Sequence, residues 1–302
     1  MWTCSAPFFC TRLKASFGFF AFLLLPPAWS IILAEARSVT FPFGGKGARL
    51  NEVAFISHLQ KDEQWDPIEF HLSGIRFVDR MMERILKFGT FQPNRSNILE
   101  IGCGVGRFLR PLAGRFHMVC GVDIAEEMLK SAAKHCSCLP NIVLLQSDGK
   151  TLDMIERDSF NYCVTAGVFQ HITDFEVISS YIREALRILK PGGIFLFQFE
   201  GNRTEDQGSG QHGARITADK LDAALLNEEF QILEISQDPT DKVRSLVIVL
   251  QKTPGVKWTG SFRTFPMTNE GWLEGVYDDF KTRTQMHKRQ ADQKLRLTFY
   301  DK

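Results

Sequence analysis

At 302 residues the chain is long enough to bury one full-sized core and still carry appendages. Its 44% apolar and 24% charged residues are ordinary for a globular protein, and a net charge of +1 removes any overall electrostatic pull toward nucleic acid. No specific nucleic-acid partner is therefore expected.

The first 37 residues stand apart. Arg12 and Lys14 precede an uncharged run from Ala15 to Ala34, rich in Phe and Leu and interrupted by Pro26 and Pro27. A basic flank, an apolar stretch and Ala34-Glu35-Ala36 resemble a signal peptide, and the run is also long enough to span a bilayer. Residues 1–37 therefore read as a signal-like or membrane-anchor segment, with membrane contact through residues 15–34. A cleaved signal, a tether and a dispensable extension all stay open. The stretch from Ser38 to Asn51 is Gly-rich and polar, and residues 38–62 read as a linker.

Asp66-Pro67 marks a helix start, and Phe70, Ile75, Phe77, Val78, Met81, Met82, Ile85 and Leu86 recur at helical spacing up to Lys87. This helix either folds over the glycine-rich turn at 102–106 as a lid or packs on a sheet. Ile98 to Ile101 reads as a buried strand that runs into Gly102, Gly104 and Gly106, with a helical segment over 108–116. Further strands are expected at 118–123, 142–146, 160–165 and 194–199, with helices at 125–134 and 175–189, the latter stopped by Pro191-Gly192-Gly193. After a polar glycine-rich loop over 201–213 come a helix at 218–226 and strands at 230–235 and 246–251, paired as an antiparallel edge hairpin. The fold class is α/β: a Rossmann-like, doubly wound, mostly parallel seven-stranded sheet. The domain is placed at residues 63–252. Residues 253–302 are a C-terminal appendage, basic from Lys281 onward, that either docks on the domain or meets an anionic partner.

Seven cysteines, at 4, 10, 103, 120, 136, 138 and 163, form no disulfide framework, and several fall in expected strands, so reduced thiols are expected. Cys136-x-Cys138 lacks a second ligand pair at zinc spacing, and no metal is expected.

The chemistry begins at Glu100-x-Gly102-x-Gly104-x-Gly106. A strand, a glycine turn and a helix start form a nucleotide-binding corner, because glycine permits positive φ and close ligand approach. A dinucleotide fingerprint needs glycine where this chain has Arg107, and Glu100 beside the loop would repel a pyrophosphate but suits an ammonium group. Asp123, at the end of the next strand, is placed to accept from both hydroxyls of a ribose. Ile124 offers an apolar face to an adenine ring. Gln146-Ser147-Asp148-Gly149 ends the third strand, where Asp148 can accept from an exocyclic amine. The combination describes a nucleoside that carries an amino acid.

These residues, together with Val122-Asp123, Ser147-Asp148, Val168-Phe169-Gln170-His171-Ile172 and Leu189-Lys190-Pro191-Gly192-Gly193, resemble the successive motifs of class I S-adenosylmethionine-dependent methyltransferases with a small-molecule-like methyltransferase domain. The resemblance runs from about Asn97 to Phe199. It implies an enzyme with S-adenosyl-L-methionine as cofactor, a small-molecule acceptor and a cytoplasm-facing catalytic domain. It also implies roles. Glu100, Gly102, Cys103, Gly104 and Gly106 would hold the methionine moiety, Asp123 and Ile124 the ribose and adenine face, and Ser147, Asp148 and Gly149 the adenine edge. Val168 would line the cofactor from the fourth strand, with Phe169 as an aromatic face toward the sulfonium. His171 is a candidate general base or a residue that merely packs at the strand end. The fourth strand ends Ala166-Gly167-Val168-Phe169, without the Asn/Asp-Pro-Pro-Tyr/Phe sequence of amino-methylating adenine or glutamine enzymes. A nicotinamide oxidoreductase is disfavoured by Glu100 and Arg107, and a silent cofactor-binding regulator is the remaining alternative.

Overall fold

A computed structural model describes residues 67–200, 213–237 and 245–265. The segment 1–37, the linker 38–62, the loop 201–212 and the tail beyond 265 lie outside the described residues.

Short apolar runs punctuated by glycine and polar turns fold as strands buried on both faces, the pattern of a parallel sheet covered by helices. The strands are β1 (Asn97–Ile101), β2 (Met118–Asp123), β3 (Ile142–Gln146), β4 (Phe160–Thr165), β5 (Leu189–Glu200), β6 (Glu229–Gln237) and β7 (Ser245–Lys257), in the order β3-β2-β1-β4-β5-β7-β6. The first five are parallel, and β7 runs antiparallel to both β5 and β6. Strand order reverses at β1 and β4, and this opens a crevice beyond their carboxyl ends, the place where open α/β sheets bind ligands.

Side-chain alternation sorts the core into two layers. Ile98, Val119, Tyr162, Val164, Ile194 and Leu196 pack under α1 (Pro67–Phe88), α2 (Leu109–Ala113) and α3 (Glu126–His135). Leu99, Ile101, Cys120, Cys163, Phe195 and Phe197 face α4 (Phe175–Ile188) and α5 (Ala218–Ala224). Each helix has local reasons to form. The Asp174 carboxylate caps α4 by accepting the Glu176 N–H at 2.9 Å, and α3 opens on Glu126-Glu127 and closes on Lys134-His135, which complements its dipole.

β2, β3 and β4 occupy the residues read from the sequence, but β5 does not. It starts at Leu189, ahead of the Pro-Gly-Gly that was expected to separate helix from strand. Pairing with β4 jumps from Phe160–Leu189 to Tyr162–Ile194, so Lys190 to Gly193 form a bulge. Its carbonyls are met from β7: Lys252 Nζ donates to Leu189 O at 2.7 Å and Gln251 Nε2 to Gly192 O at 3.0 Å. These side chains are why the strand tolerates the interruption.

The chain past Gln251 is also more than an appendage at its start. β7 continues to Lys257, and Phe262 is fully buried. The Asp222 carboxylate of α5 gathers this segment, accepting from Trp258 Nε1 at 3.2 Å, Ser261 Oγ at 2.9 Å and the Phe262 N–H at 2.9 Å. All five cysteines among the described residues are free thiols, and no helix among those residues is long and apolar enough to cross a membrane.

Candidate functional site at the strand ends

The glycine loop follows β1 directly. Gly102 and Cys103 continue the β1–β2 ladder by donating to Val122 O at 2.7 and 3.0 Å, which holds the start of the turn against the sheet. Gly102 has φ +74°, and a Cβ there would sit 2.3 Å from Val168 Cγ2. Val168, at the end of β4, therefore closes on the loop and leaves no room for any residue but glycine. Gly104 and Gly106 are also left-handed, with φ of +52° and +88°.

Asp123 ties this loop to β2. Its Oδ2 accepts the Gly104 N–H at 2.8 Å and its Oδ1 accepts the Ala125 N–H at 2.9 Å. Burial pushes its carboxyl above the ordinary aspartate value, and the backbone N–H groups pull it back. The carboxylate keeps acceptor capacity beyond these bonds, which a diol can use. Beside it Ile124 is 46% exposed, and a Cβ on Gly149 (φ +80°) would sit 3.3 Å from its Cγ2. The expected apolar platform and the β3 turn are thus neighbours.

The β3 turn is built on Asp148 and Ser147. Asp148 Oδ1 accepts the N–H groups of Lys150 and Thr151 at 2.8 and 2.7 Å, so much of its capacity shapes its own loop. Ser147 is buried, and its hydroxyl meets the Tyr181 hydroxyl of α4 at 3.3 Å. Burial pushes the Tyr181 phenol up to about 12. Tyr181 was not found from the sequence, where it reads only as one apolar position on a helix.

Glu100 points to the α1–α2 side of the sheet and is 3% exposed, with no hydrogen-bond partner at Oε2. Burial drives its carboxyl well above the ordinary glutamate value, nearby Arg107 opposes this, and Asp123 adds to it. A buried acid of this kind awaits a donor. Arg107 lies over the Phe108 ring at 4.5 Å and the Phe70 ring of α1 at 5.9 Å, with its own Nε unpartnered. Phe70 in turn packs with Val105, Ala125 and Met128. Both expectations for α1 therefore hold: its first turns cover the glycine loop, and Val78, Met81, Met82 and Ile85 pack on the sheet.

One sequence assignment, the aromatic face of Phe169, needs correction. Phe169 is fully buried against Phe197, ring centroids 5.9 Å apart, because the residue after Val168 turns down into the α4 layer; it presents no open face to a ligand. The Cys103 side chain packs in the core, where a Cβ on Gly121 would lie 2.9 Å from its sulfur. Burial raises its thiol well above the usual value, so any ligand contact from Cys103 is through backbone. His171 ends a single helical turn, Phe169–His171, at the edge of the crevice and is half-buried. The chain that returns from the 201–212 loop pairs with this turn: Gly213 donates to Gln170 O and Ala214 to Ile172 O, both at 2.6 Å. Among the described residues no group of three or more His, Cys, Asp or Glu is placed to hold a metal ion.

Residues 98–193 match the family model described as a methyltransferase domain, over the same strand ends and loops. It is this segment of the chain that is similar to a methyltransferase domain. The chain is 31% identical over 141 residues to phosphoethanolamine N-methyltransferase 2 of Caenorhabditis elegans, a match covering 44% of this chain and 31% of that protein. It is 28% identical over 159 residues to the mitochondrial ubiquinone biosynthesis O-methyltransferase of Bos taurus, covering 50% and 42%. The matches thus span less than half the length of either relative. Among solved structures, the magnesium protoporphyrin IX methyltransferase of Synechocystis, with bound SAH, overlaps at a TM-score of 0.48 and 18% identity, covering 64% of this chain and 90% of that one.

Proposed function

We propose that the protein transfers a methyl group from S-adenosylmethionine to a small-molecule acceptor. The observation that carries this reading is the set of unspent acceptors at one crevice: the orphaned Glu100 oxygen, the remaining acceptor capacity of Asp123 and the exposed Ile124 face. They fit an ammonium, a ribose diol and an adenine ring in the order in which the cofactor presents them. When bound, S-adenosylmethionine supplies an electrophilic methyl group on a sulfonium. The chain then has to hold and exclude: Glu100 and the loop backbone fix the amino-acid end, and Asp123 fixes the ribose. The first turns of α1 keep water from the loop. Orientation at near-attack distance supplies most of the acceleration in such a displacement. His171, beside the re-entry of the 201–212 loop, stands where an acceptor's proton would be collected.

The shared segment supports the cofactor half of the site. The two relatives carry N- and O-methyltransferase names, so the acceptor atom is set by elements outside the shared segment. We place those elements at α1, the 201–212 loop and the tail, and we place the catalytic domain on the cytoplasmic side, where S-adenosylmethionine is made. Calorimetric titration of the full chain with S-adenosylhomocysteine and with NAD tests the reading. Binding of the first and not the second is expected; no binding, or NAD binding, overturns it. A labelled-methyl screen against fractionated extract then identifies the acceptor, and cofactor binding without any labelled product favours a regulatory role.

A further inference from the structure

Glu100 and Arg107 sit on one side of the sheet as an acid and a base that do not bond. The Glu100 Oε2 and the Arg107 Nε are both buried and both without a partner. What holds the guanidinium off the carboxylate is aromatic packing: it lies over Phe108 and under Phe70, 4.5 and 5.9 Å from the two ring centroids. Helix α1 approaches the same residue so closely that a Cβ on Gly74 would sit 2.4 Å from Arg107 O and 3.1 Å from its Cγ. The charged and titratable groups that act on Glu100 are few. Asp123 is an acid partly compensated by backbone N–H groups, and Cys103 and Cys136 couple to Glu100 as thiols that burial keeps protonated. Helix α1 brings the Phe70 ring and Gly74 to Arg107 itself. Arg107 is the one cation among the described residues that acts on Glu100.

We propose that Arg107 is a positioning residue: it eases the ionisation of buried Glu100 without consuming its lone pairs, so the carboxylate is free to take the ammonium of a bound amino-acid nucleoside. The role rests on the cofactor reading. A direct ion pair would satisfy Glu100 and spend the acceptor the ligand needs; a neutral residue at 107 would leave an isolated buried acid that gives up its proton to an incoming ammonium less readily. Charge without a bond avoids both outcomes. It also makes α1 part of the cofactor site, since Phe70 and Gly74 set where the guanidinium rests.

The test is S-adenosylhomocysteine affinity, by calorimetry, followed from mildly acidic to mildly alkaline pH. Arg107→Gln is expected to bind roughly tenfold more weakly near neutral pH, with the deficit shrinking as pH rises. Arg107→Lys should restore most of the affinity because it returns the charge. In a Glu100→Gln background, which is weak at every pH, adding Arg107→Gln should change nothing further. A deficit in Arg107→Gln that is equal at all pH values, or that persists in the Glu100→Gln background, overturns the positioning role and leaves the cofactor reading standing. Failure of the wild-type chain to bind overturns the cofactor reading itself. Should Arg107→Gln not fold, Phe70→Ala removes one of the two rings and should give the same pH-dependent deficit in smaller measure; a flat profile there is equally fatal.

Discussion

Asp123 Oδ2 accepts the Gly104 N–H at 2.8 Å, so the residue read as a ribose partner also braces the loop that holds the other end of the ligand. One carboxylate serves two strands' worth of geometry. Asp123→Ala should therefore lose cofactor affinity and folding stability together, the latter by about 1–3 kcal/mol for the unpaired Gly104 and Ala125 N–H groups. Asp123→Asn keeps an acceptor for one of them and should recover part of the stability. Urea titration alongside calorimetry separates the two losses; a stable Asp123→Ala would show that the brace is unimportant.

Gly102→Ala adds a methyl 2.3 Å from Val168 Cγ2 at a φ of +74°. Overpacking and left-handed strain together should cost about 2–4 kcal/mol. Val168→Ala removes the atom that is struck, so the double variant should be less destabilised than the sum of the two single ones. Chemical denaturation of all three proteins checks this, and strict additivity would locate the whole cost in the backbone.

Tyr181→Phe deletes the hydroxyl that meets Ser147 at 3.3 Å. A cost of about 1 kcal/mol is expected. Because the Ser147-Asp148-Gly149 turn rests on that contact, affinity for S-adenosylhomocysteine should fall as well. Unchanged affinity would mean that Asp148, through Lys150 and Thr151, holds the turn unaided.

The pH dependence of stability follows from Glu100. Its carboxyl is raised well above the ordinary value of 4.5, chiefly by burial, so the ligand-free folded chain holds a proton that the unfolded chain has already released. Stability must then fall as pH rises from about the unfolded value through the raised folded one. Thermal unfolding of ligand-free protein across that window should show this decline for the wild type, and Glu100→Gln should flatten it. An ammonium-bearing ligand should oppose the decline, since it favours the ionised form.

The sequence announced most of this because the site sits where strands end, and strand ends are punctuated. β2, β3 and β4 are apolar runs closed by Asp123, Gln146 and Thr165, and their limits in the structure match those expected from the sequence. What could not be read depends on contacts between distant segments. Pro191-Gly192-Gly193 looks like a stop until Gln251 and Lys252 are known to reach into it. Phe169 looks like a free ring because nothing local records Phe197 beside it. Tyr181 on its helix carries no mark of the hydroxyl it meets across the layer. Chemistry written in consecutive residues was visible, and chemistry written across the fold was not.

Helix α1 is a rod about 33 Å long, from its 22 residues and the rise of a helix. Near one end Phe70 rests on Val105, Ala125 and Met128; near the other, Arg84 reaches the buried Glu234 of β6 at 3.3 Å. A stiff beam with supports at the glycine loop and at the outermost strand cannot follow one without the other. Helix α1 thus joins the outermost strand to the glycine loop through one continuous element.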